Sequence, residues 1–221
     1  MTTPPVPVAV LASGTGSNLQ ALFDALGPGT AARVVRVLSD RSAAAALDRA
    51  RRAGVDVVHI ADPNDAAALA AALDGITLTV LAGYLKLVPA PVVARFRWRM
   101  INIHPALLPA FGGPGMYGDR VHAAVLRSGA AVSGATVHYV DEQFDRGPII
   151  AQWPVPVRPG DTPGALAARV QSVEHRLLPA VVLSLARLGV PARAVRLAPP
   201  GGSFGPDQGL QPMVELIHAA E

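Results

Sequence analysis

The sequence contains no cysteine, which excludes disulfide scaffolds, thiol nucleophiles and cysteine-based metal sites. No apolar run reaches about 18 residues without a charge or a proline, so a membrane-spanning helix is not expected. The opening stretch "MTTPPVPVAVLASGTGSN" has no cationic segment before its apolar residues, unlike a signal peptide. These absences predict a cytoplasmic protein with no metal site and no membrane partner.

Lysine is nearly absent too, because all but Lys86 of the 19 basic residues are arginine. The formal net charge is only +3 and the arginines are scattered along the chain. Their densest run, "RARR" at 49–52, fits the solvated face of a helix, so we expect no nucleic-acid partner. With 221 residues and 51% hydrophobic content, the chain can form a sizeable core.

The first hundred residues alternate short apolar runs with helical patterns. The predicted strands are "PVPVAVLAS", "ARVVRVLSD", "VDVVHI" and "ITLTVLAG", and the predicted helices between them are "LQALFDAL", "SAAAALDRARRAG" and "NDAAALAAALDG". This alternation is typical of an α/β fold with one doubly wound, mostly parallel sheet and helices on both faces, which is a Rossmann-like arrangement.

The second half has a different pattern. "VSGATVHYV" and "PIIAQWPVPV" have only "DEQFDRG" between them, so they should pair antiparallel and extend the sheet. "TPGALAARVQSVEHRLLPAVVLSLARLG" begins with a threonine cap signal and predicts a closing helix, with Pro179 as a candidate kink. We expect one domain over residues 1–198 and a Pro/Gly-rich tail over 199–221.

The "SGTGSN" loop between the first strand and helix predicts an anion site. Consecutive backbone N–H groups at a helix N-terminus favour negative charge. The loop lacks the Gly-Lys-Ser/Thr of a Walker loop, and Leu19 occupies the place of the third glycine in a dinucleotide fingerprint. Asp40, after the second strand, is the only feature that favours a dinucleotide. A single phosphate fits better, and a glycine turn that serves only strand-to-helix packing is the alternative.

"INIHP" places an amide and an imidazole on one face of a strand. Asn102 and His104 are two residues apart and so project together, and Pro105 ends the strand at the tip where open α/β sheets bind ligands. In "DEQFDRGP", Asp145 is of interest if the fold brings its carboxylate to His104, where it would raise the pKa of the imidazole. Two polar residues on an edge strand and an ordinary acidic turn are the alternative interpretations.

Other polar residues carry weaker signals. Gln171 and Glu174 lie three apart on the last helix and therefore share a face, which is also what a solvated face would show. Four histidines stand alone in the sequence and are interpreted as packing or surface residues: His59, His122, His138 and His218.

Together these motifs resemble the phosphoribosylglycinamide formyltransferase family. They occur in the order "VLASGTGSNLQAL", "VLAGYLKLVP", "INIHPALLPAFGG", "GATVHYVDEQFDRGPIIAQ" and "RVQSVEHRLLPA", and the resemblance extends from about residue 6 to 190. The Asn-x-His-Pro and Asp-x-Gly-Pro motifs mark the wider group of enzymes that use 10-formyltetrahydrofolate. Within that wider group, the "GTGSN" loop and the Gln-x-x-Glu pair indicate the phosphoribosylglycinamide formyltransferases.

The resemblance implies transfer of the formyl group of 10-formyltetrahydrofolate, a cosubstrate, to the amine of glycinamide ribonucleotide in purine biosynthesis, without a metal, by a monomer or homodimer. It implies three catalytic residues: Asn102, His104 and Asp145. It implies ribonucleotide binding by Gly14, Thr15, Gly16, Ser17, Asn18, Pro109, Gln171 and Glu174. It implies folate binding by Leu85, Lys86, Leu87, Val88, Asn102, Val140 and Asp141. Amide and protonated imidazole donors suit the tetrahedral oxyanion of such a transfer.

The chain departs from the family pattern in three places. The Ser-Arg-Glu segment that contacts the folate glutamate in the family is missing from "ADPNDAAALAAALDG", so this contact would rest on Lys86 or on another arginine. The loop at 111–120 is longer and richer in glycine than usual. The tail beyond Pro199 matches no family motif.

Other functions remain as alternatives. Methionyl-tRNA formyltransferase and formyltetrahydrofolate hydrolase share the catalytic motifs, but each would add a domain for which we expect no room. An NAD-dependent oxidoreductase would use the glycine loop and Asp40 and would leave Asn102, His104 and Asp145 without a role. A non-catalytic nucleotide-binding sensor would need only the loop.

Overall fold

A computed structural model describes residues 4–197 and the backbone of 216–217. Most of the predicted tail over 199–221 therefore lies outside the described residues. Within the described part the strands are β1 (Val6–Leu11), β2 (Ala32–Ser39), β3 (Asp56–His59), β4 (Leu78–Leu81), β5 (Met100–His104), β6 (Val132–Tyr139), β7 (Ile149–Pro156), β8 (Arg196–Leu197) and β9 (Leu216–Ile217). The helices are α1 (Ser17–Ala25), α2 (Ala45–Arg52), α3 (Ala66–Ala72), α4 (Ala90–Arg95), α5 (Asp119–Ser128) and α6 (Pro163–Arg187).

Seven strands form one mixed sheet in the order β3-β2-β1-β4-β5-β6-β7. The strands from β3 to β5 pair in parallel, and β6 and β7 are added antiparallel. This confirms the predicted α/β fold class and the predicted antiparallel extension. The chain moves outward from β1 through β2 to β3 and then returns to β4, so the strand order reverses between β1 and β4. Ligands bind at such a switch point, beyond the carboxyl ends of the strands.

The central strands are buried on both faces. In β1, Val8 and Val10 face one apolar core, whereas Ala9 and Leu11 face the other, as the two-residue period of a strand requires. The first core includes side chains of α1 and α6, and the second includes side chains of α3 and α4. A parallel strand covered on both sides reads as a continuous apolar run, which explains why "VAVL" and "LTVL" lack alternation.

The long helix α6 closes the first core. Thr162 caps it by accepting a hydrogen bond from the backbone N–H of Ala165 at 3.2 Å, as the sequence predicts, and the helix continues across Pro179. No helix in the described part of the chain is long and apolar enough to cross a membrane. The short strands β8 and β9 pair antiparallel outside the main sheet.

Candidate functional site

A cleft of about 430 Å³ opens at the carboxyl ends of β1, β4 and β5. Its lining brings the glycine loop, the tip of β5, Asp145 and one face of α6 into a single space. The predicted site residues in this lining are Gly14, Thr15, Gly16, Ser17, Asn18, Leu85, Asn102, His104, Asp145, Gln171 and Glu174. Pro109 is exposed and is not part of the lining.

The glycine loop is fixed against helix α2. Gly16 has φ +73°, and a Cβ atom there would lie 2.9 Å from Cα and Cβ of Ala46, so a larger residue would displace α2. Ala46 N–H donates to the Gly14 carbonyl at 3.1 Å, and Arg49 Nε donates to the Thr15 carbonyl at 2.8 Å. The N-terminus of α1 is thereby held at the cleft, where its backbone amides suit an anion.

Helix α6 supplies polar partners to the same loop. Asn18 Nδ2 donates to Glu174 Oε2 at 3.2 Å, and Gln171 Nε2 donates to Ser17 Oγ at 3.1 Å. Burial raises the pKa of Glu174, and the hydrogen bond from Asn18 opposes this only in part. Both members of the pair predicted to share a helix face therefore contact the glycine loop, Glu174 from a buried position and Gln171 from an exposed one.

Asn102, His104 and Asp145 lie together at the tip of β5. Asn102 Nδ2 is 3.4 Å from Asp145 Oδ1, and His104 Nδ1 is 3.5 Å from Asp145 Oδ2. The backbone N–H of Gly113 donates to Asp145 Oδ2 at 2.9 Å. The carboxylate thus connects the strand tip, the acidic turn and the loop that follows β5.

Two residues in this arrangement have left-handed backbone conformations. Phe111 and Asp145 both have φ 57°, which is uncommon for a residue with a side chain and rarest for a bulky one. The conformation of Phe111 directs its carbonyl oxygen to His104 Nε2, which donates to it at 2.9 Å. Gly112 allows the loop to approach, because a Cβ there would lie 3.0 Å from Asp145 Cβ. Both nitrogens of His104 therefore face an oxygen.

Burial dominates the electrostatics of His104. It lowers the pKa of the imidazole and outweighs the upward effects of Asp145 and the Phe111 carbonyl, and His138 lowers it further. Asp145 acts in the expected direction, but the net result is a histidine that favours its neutral form. Burial would also raise the pKa of Asp145, but the nearby imidazoles of His138 and His104 and the hydrogen bond from the Gly113 N–H hold that pKa below the usual value.

His138 belongs to this cluster, although the sequence analysis interpreted it as a packing or surface residue. It is 2% exposed, and its Nε2 lies 3.0 Å from Asn102 Nδ2 and 3.7 Å from Asp145 Oδ1. The antiparallel pairing of β5 with β6 puts His138 directly opposite Asn102. The alternation of polar residues in "TVHYV" was the available signal. It could not identify the partner of His138, because that depends on the register in which β6 pairs with β5.

The turn that follows β5 is held by two side chains that were not predicted from the sequence, Thr136 and Gln152. Thr136 Oγ1 donates to the Ala106 carbonyl at 2.6 Å and accepts from the Leu108 N–H at 3.0 Å. Gln152 Nε2 donates to the Leu108 carbonyl at 2.8 Å. These bonds orient the chain just after His104.

A smaller cavity of about 50 Å³ adjoins the cluster. Its lining contains the remaining predicted folate residues together with His138 and Phe144: Lys86, Leu87, Val88, Val140 and Asp141. Phe144 lines both cavities, and Asn102 and Asp145 are shared as well. The cluster therefore lies between two adjoining cavities.

Two further features bear on the alternatives. Asp40, which favoured a dinucleotide, accepts a hydrogen bond from Ser13 Oγ at 2.6 Å and is engaged within the protein. The unusual loop after Phe111 forms a wall of the larger cleft through Met116 and Tyr117.

Among the described residues no group of three or more histidine, aspartate or glutamate side chains is arranged to hold a metal ion.

Comparison with known proteins connects this geometry to one family. The formyl transferase family profile matches residues 6–182. Phosphoribosylglycinamide formyltransferase from Mycobacterium tuberculosis H37Rv is 44% identical over 194 residues, which cover 84% of this chain and 87% of the relative. The chloroplastic enzyme of that name from Arabidopsis thaliana is 42% identical over 185 residues, which cover 79% of this chain but only 63% of the relative.

The same similarity holds among solved structures. Glycinamide ribonucleotide transformylase 1 from Symbiobacterium toebii superposes with a TM-score of 0.77 and is 42% identical in sequence. The match covers 89% of this chain and 92% of that one.

Proposed function

The chain belongs to the formyl transferase family, and on that premise we propose that it transfers the formyl group of 10-formyltetrahydrofolate to the primary amine of glycinamide ribonucleotide. The observation that carries the proposal is the position of Asn102, His104 and Asp145 between two adjoining cavities. One cavity carries an anion loop suited to a phosphate, and the other combines apolar side chains such as Leu87 and Val88 with polar ones that include Lys86 and Asp141. A reaction centre between two different ligand sites suits transfer from one small molecule to another.

The larger cleft would hold the ribonucleotide. Its phosphate would accept hydrogen bonds from the amides at the start of α1, in the manner usual for helix N-termini. Gln171 and Glu174 would then lie beside the ribose, since both already contact the glycine loop. The amine at the other end of the molecule would extend toward His104 and Asp145.

The smaller cavity, at about 50 Å³, would receive one end of the folate, and the rest of the molecule would extend past its rim. Leu87 and Val88 would contact its ring system, and Lys86, exposed at the rim, carries the charge that suits a glutamate carboxylate. Phe144 would separate the two substrates, because it lines both cavities.

In the proposed reaction a bond forms between the amine nitrogen and the formyl carbon, and the bond between that carbon and N10 of the folate breaks. The amine loses one proton and N10 gains one, so no covalent enzyme intermediate is needed. Preorganised donors facing the oxyanion would supply the largest part of the rate enhancement. Asp145 would accept the amine proton and His104 would assist its passage to N10.

The hydrogen bonds of Asn102 indicate how it would take part. Its amide nitrogen has two N–H groups, and both point at acceptors, His138 Nε2 at 3.0 Å and Asp145 Oδ1 at 3.4 Å. The longer bond is the weaker one. We therefore expect Asn102 to exchange the bond with Asp145 for the formyl oxygen, while His138 keeps the amide in place.

One assay separates the candidate functions. Release of tetrahydrofolate from 10-formyltetrahydrofolate is followed spectrophotometrically, with and without glycinamide ribonucleotide. Release that depends on the ribonucleotide supports the transfer, release without it indicates a hydrolase, and no release in either case leaves a non-catalytic binding protein. Reduction of NAD with any substrate would instead favour an oxidoreductase, which the engagement of Asp40 by Ser13 disfavours.

A further inference from the structure

One buried hydroxyl group joins three loops at the switch point of the sheet. Ser13, 2% exposed, lies at the start of the glycine loop, just after the end of β1. Its N–H donates to the Gly83 carbonyl at 3.0 Å, and its Oγ accepts from the Leu85 N–H at 3.1 Å. The same Oγ donates to Asp40 Oδ1 at 2.6 Å, in the turn after β2. The proposed phosphate loop and the proposed folate segment at 85–88 are thus bonded directly to each other.

Asp40 sets the direction of this connection. A carboxylate only accepts hydrogen bonds and a serine hydroxyl has one proton, so the proton of Ser13 points to Asp40. The lone pairs of Oγ are then left for the Leu85 N–H. An O–H to carboxylate bond of 2.6 Å is in the short, charge-assisted range, which makes this orientation strongly preferred.

We propose that Ser13 is a positioning residue that couples the two substrate sites, with Asp40 fixing the orientation of its hydroxyl. The inference rests on the proposed function, because it takes 14–18 and 85–88 as the segments that hold the two ligands. A ligand that orders one segment lowers the entropic cost of ordering the other. The coupling must be reciprocal, since each ligand changes the affinity of the other by the same factor.

The coupling is measured with tetrahydrofolate, which carries no formyl group and cannot react. Its Kd is determined by calorimetry for the free protein and for the protein saturated with glycinamide ribonucleotide. In the wild type we expect the ribonucleotide to tighten tetrahydrofolate binding ~5-fold or more. Ser13→Ala and Asp40→Ala should bring the ratio close to one. Asp40→Asn should keep most of it, because the amide oxygen still accepts the hydroxyl proton.

Ser133→Ala is the matched control. Ser133 is also a 2% exposed serine, and its Oγ has no hydrogen-bond partner among the described residues. This variant should keep the wild-type ratio. A ratio that is the same in Ser13→Ala as in the wild type overturns the proposal, even if Ser13→Ala lowers the melting temperature, since the hydroxyl would then serve only the fold.

Amide hydrogen exchange at Leu85 tests the same bond without any folate or ribonucleotide. Loss of one hydrogen bond worth about 1.4 kcal/mol corresponds to ~10-fold, so exchange at Leu85 should be faster by about that factor in Ser13→Ala. Asp40→Ala keeps the Ser13 acceptor and frees only its orientation, so the increase there should be smaller. Unchanged exchange overturns the proposal while the formyl transfer itself can remain intact. Faster exchange in a protein that shows no transfer would instead contradict only the proposed function.

Discussion

Replacing Asp145 by asparagine removes one negative charge from the proposed reaction centre and nearly preserves the shape of the side chain. Asp145 Oδ2 lies 3.5 Å from His104 Nδ1, and the side chain is 10% exposed. Two unit charges about 4 Å apart interact by ~4 kcal/mol at an effective dielectric constant of about 20. Each ~1.4 kcal/mol changes a rate tenfold. If His104 is charged in the transition state, kcat should therefore fall by ~10²- to 10³-fold, the lower figure allowing for partial screening.

Steady-state kinetics with both substrates measures this effect. KM for each substrate should change far less than kcat in Asp145→Asn, because the new side chain keeps the size and most contacts of the original one. An NMR titration of His104 gives an independent value. Its pKa is already lowered by burial, and Asp145 opposes that effect, so the pKa should fall further when the carboxylate is removed.

Glu142→Gln serves as the control for Asp145→Asn. Glu142 lies in the same acidic turn and is exposed, so its replacement makes the same change in net charge away from the imidazole. It should leave both kcat and the pKa of His104 nearly unchanged. A near-normal kcat in Asp145→Asn together with an unchanged pKa of His104 would refute the reasoning and return "DEQFDRGP" to an ordinary acidic turn.

Three further predictions concern the binding residues. Ser17→Trp should raise KM for glycinamide ribonucleotide with little change in folate affinity, and equal losses in both would indicate that the loop serves the fold. Lys86→Ala should weaken folate binding, with longer glutamate tails affected at least as much; calorimetry that shows no change would place the glutamate contact elsewhere. Burial raises the pKa of Glu174, so folding favours the protonated form of this side chain. Its contribution to the stability of the folded protein is complete below about pH 4 and is lost as the pH rises through the folded pKa. Glu174→Gln should flatten this part of the melting-temperature profile, and parallel profiles would contradict it.

The elements that were predictable from the sequence are those set by local periodicity. The apolar runs that became β1 and β4, with helical patterns between them, were enough to predict a mostly parallel sheet. Asn102 and His104 could be placed on one face because a strand repeats every two residues. Their position at the tip followed from Pro105, which cannot donate to the ladder.

Contacts between segments that are distant in the chain could not be predicted from local sequence patterns. His138 opposes Asn102 only because β6 pairs with β5 in one particular register, and residues 105–131 separate the two strands. A slip of one residue would turn the imidazole to the other face of the sheet. Nothing in "GATVHYV" by itself distinguishes these two registers, so a histidine of the proposed reaction centre was interpreted as a packing or surface residue. The family resemblance placed Glu174 and Asn18 in one binding site, but the hydrogen bond between them became known only from the structure.

The charge of His104 is the instructive difference between expectation and structure. Reasoning from sequence weighed the carboxylate partner and could not weigh burial, which the structure makes dominant. Both ring nitrogens nevertheless face oxygens, Phe111 O at 2.9 Å and Asp145 Oδ2 at 3.5 Å. The two acceptors fit an imidazolium better than a neutral ring, whose Nδ1 lone pair would face the carboxylate. In the proposed reaction a negatively charged oxyanion develops in the same buried space. This charge would stabilise the imidazolium form of His104, which burial disfavours in the free protein. His104 would then receive the amine's proton from Asp145 as the tetrahedral intermediate forms and later pass it to N10, which places its electrostatic contribution in the transition state rather than in the resting protein.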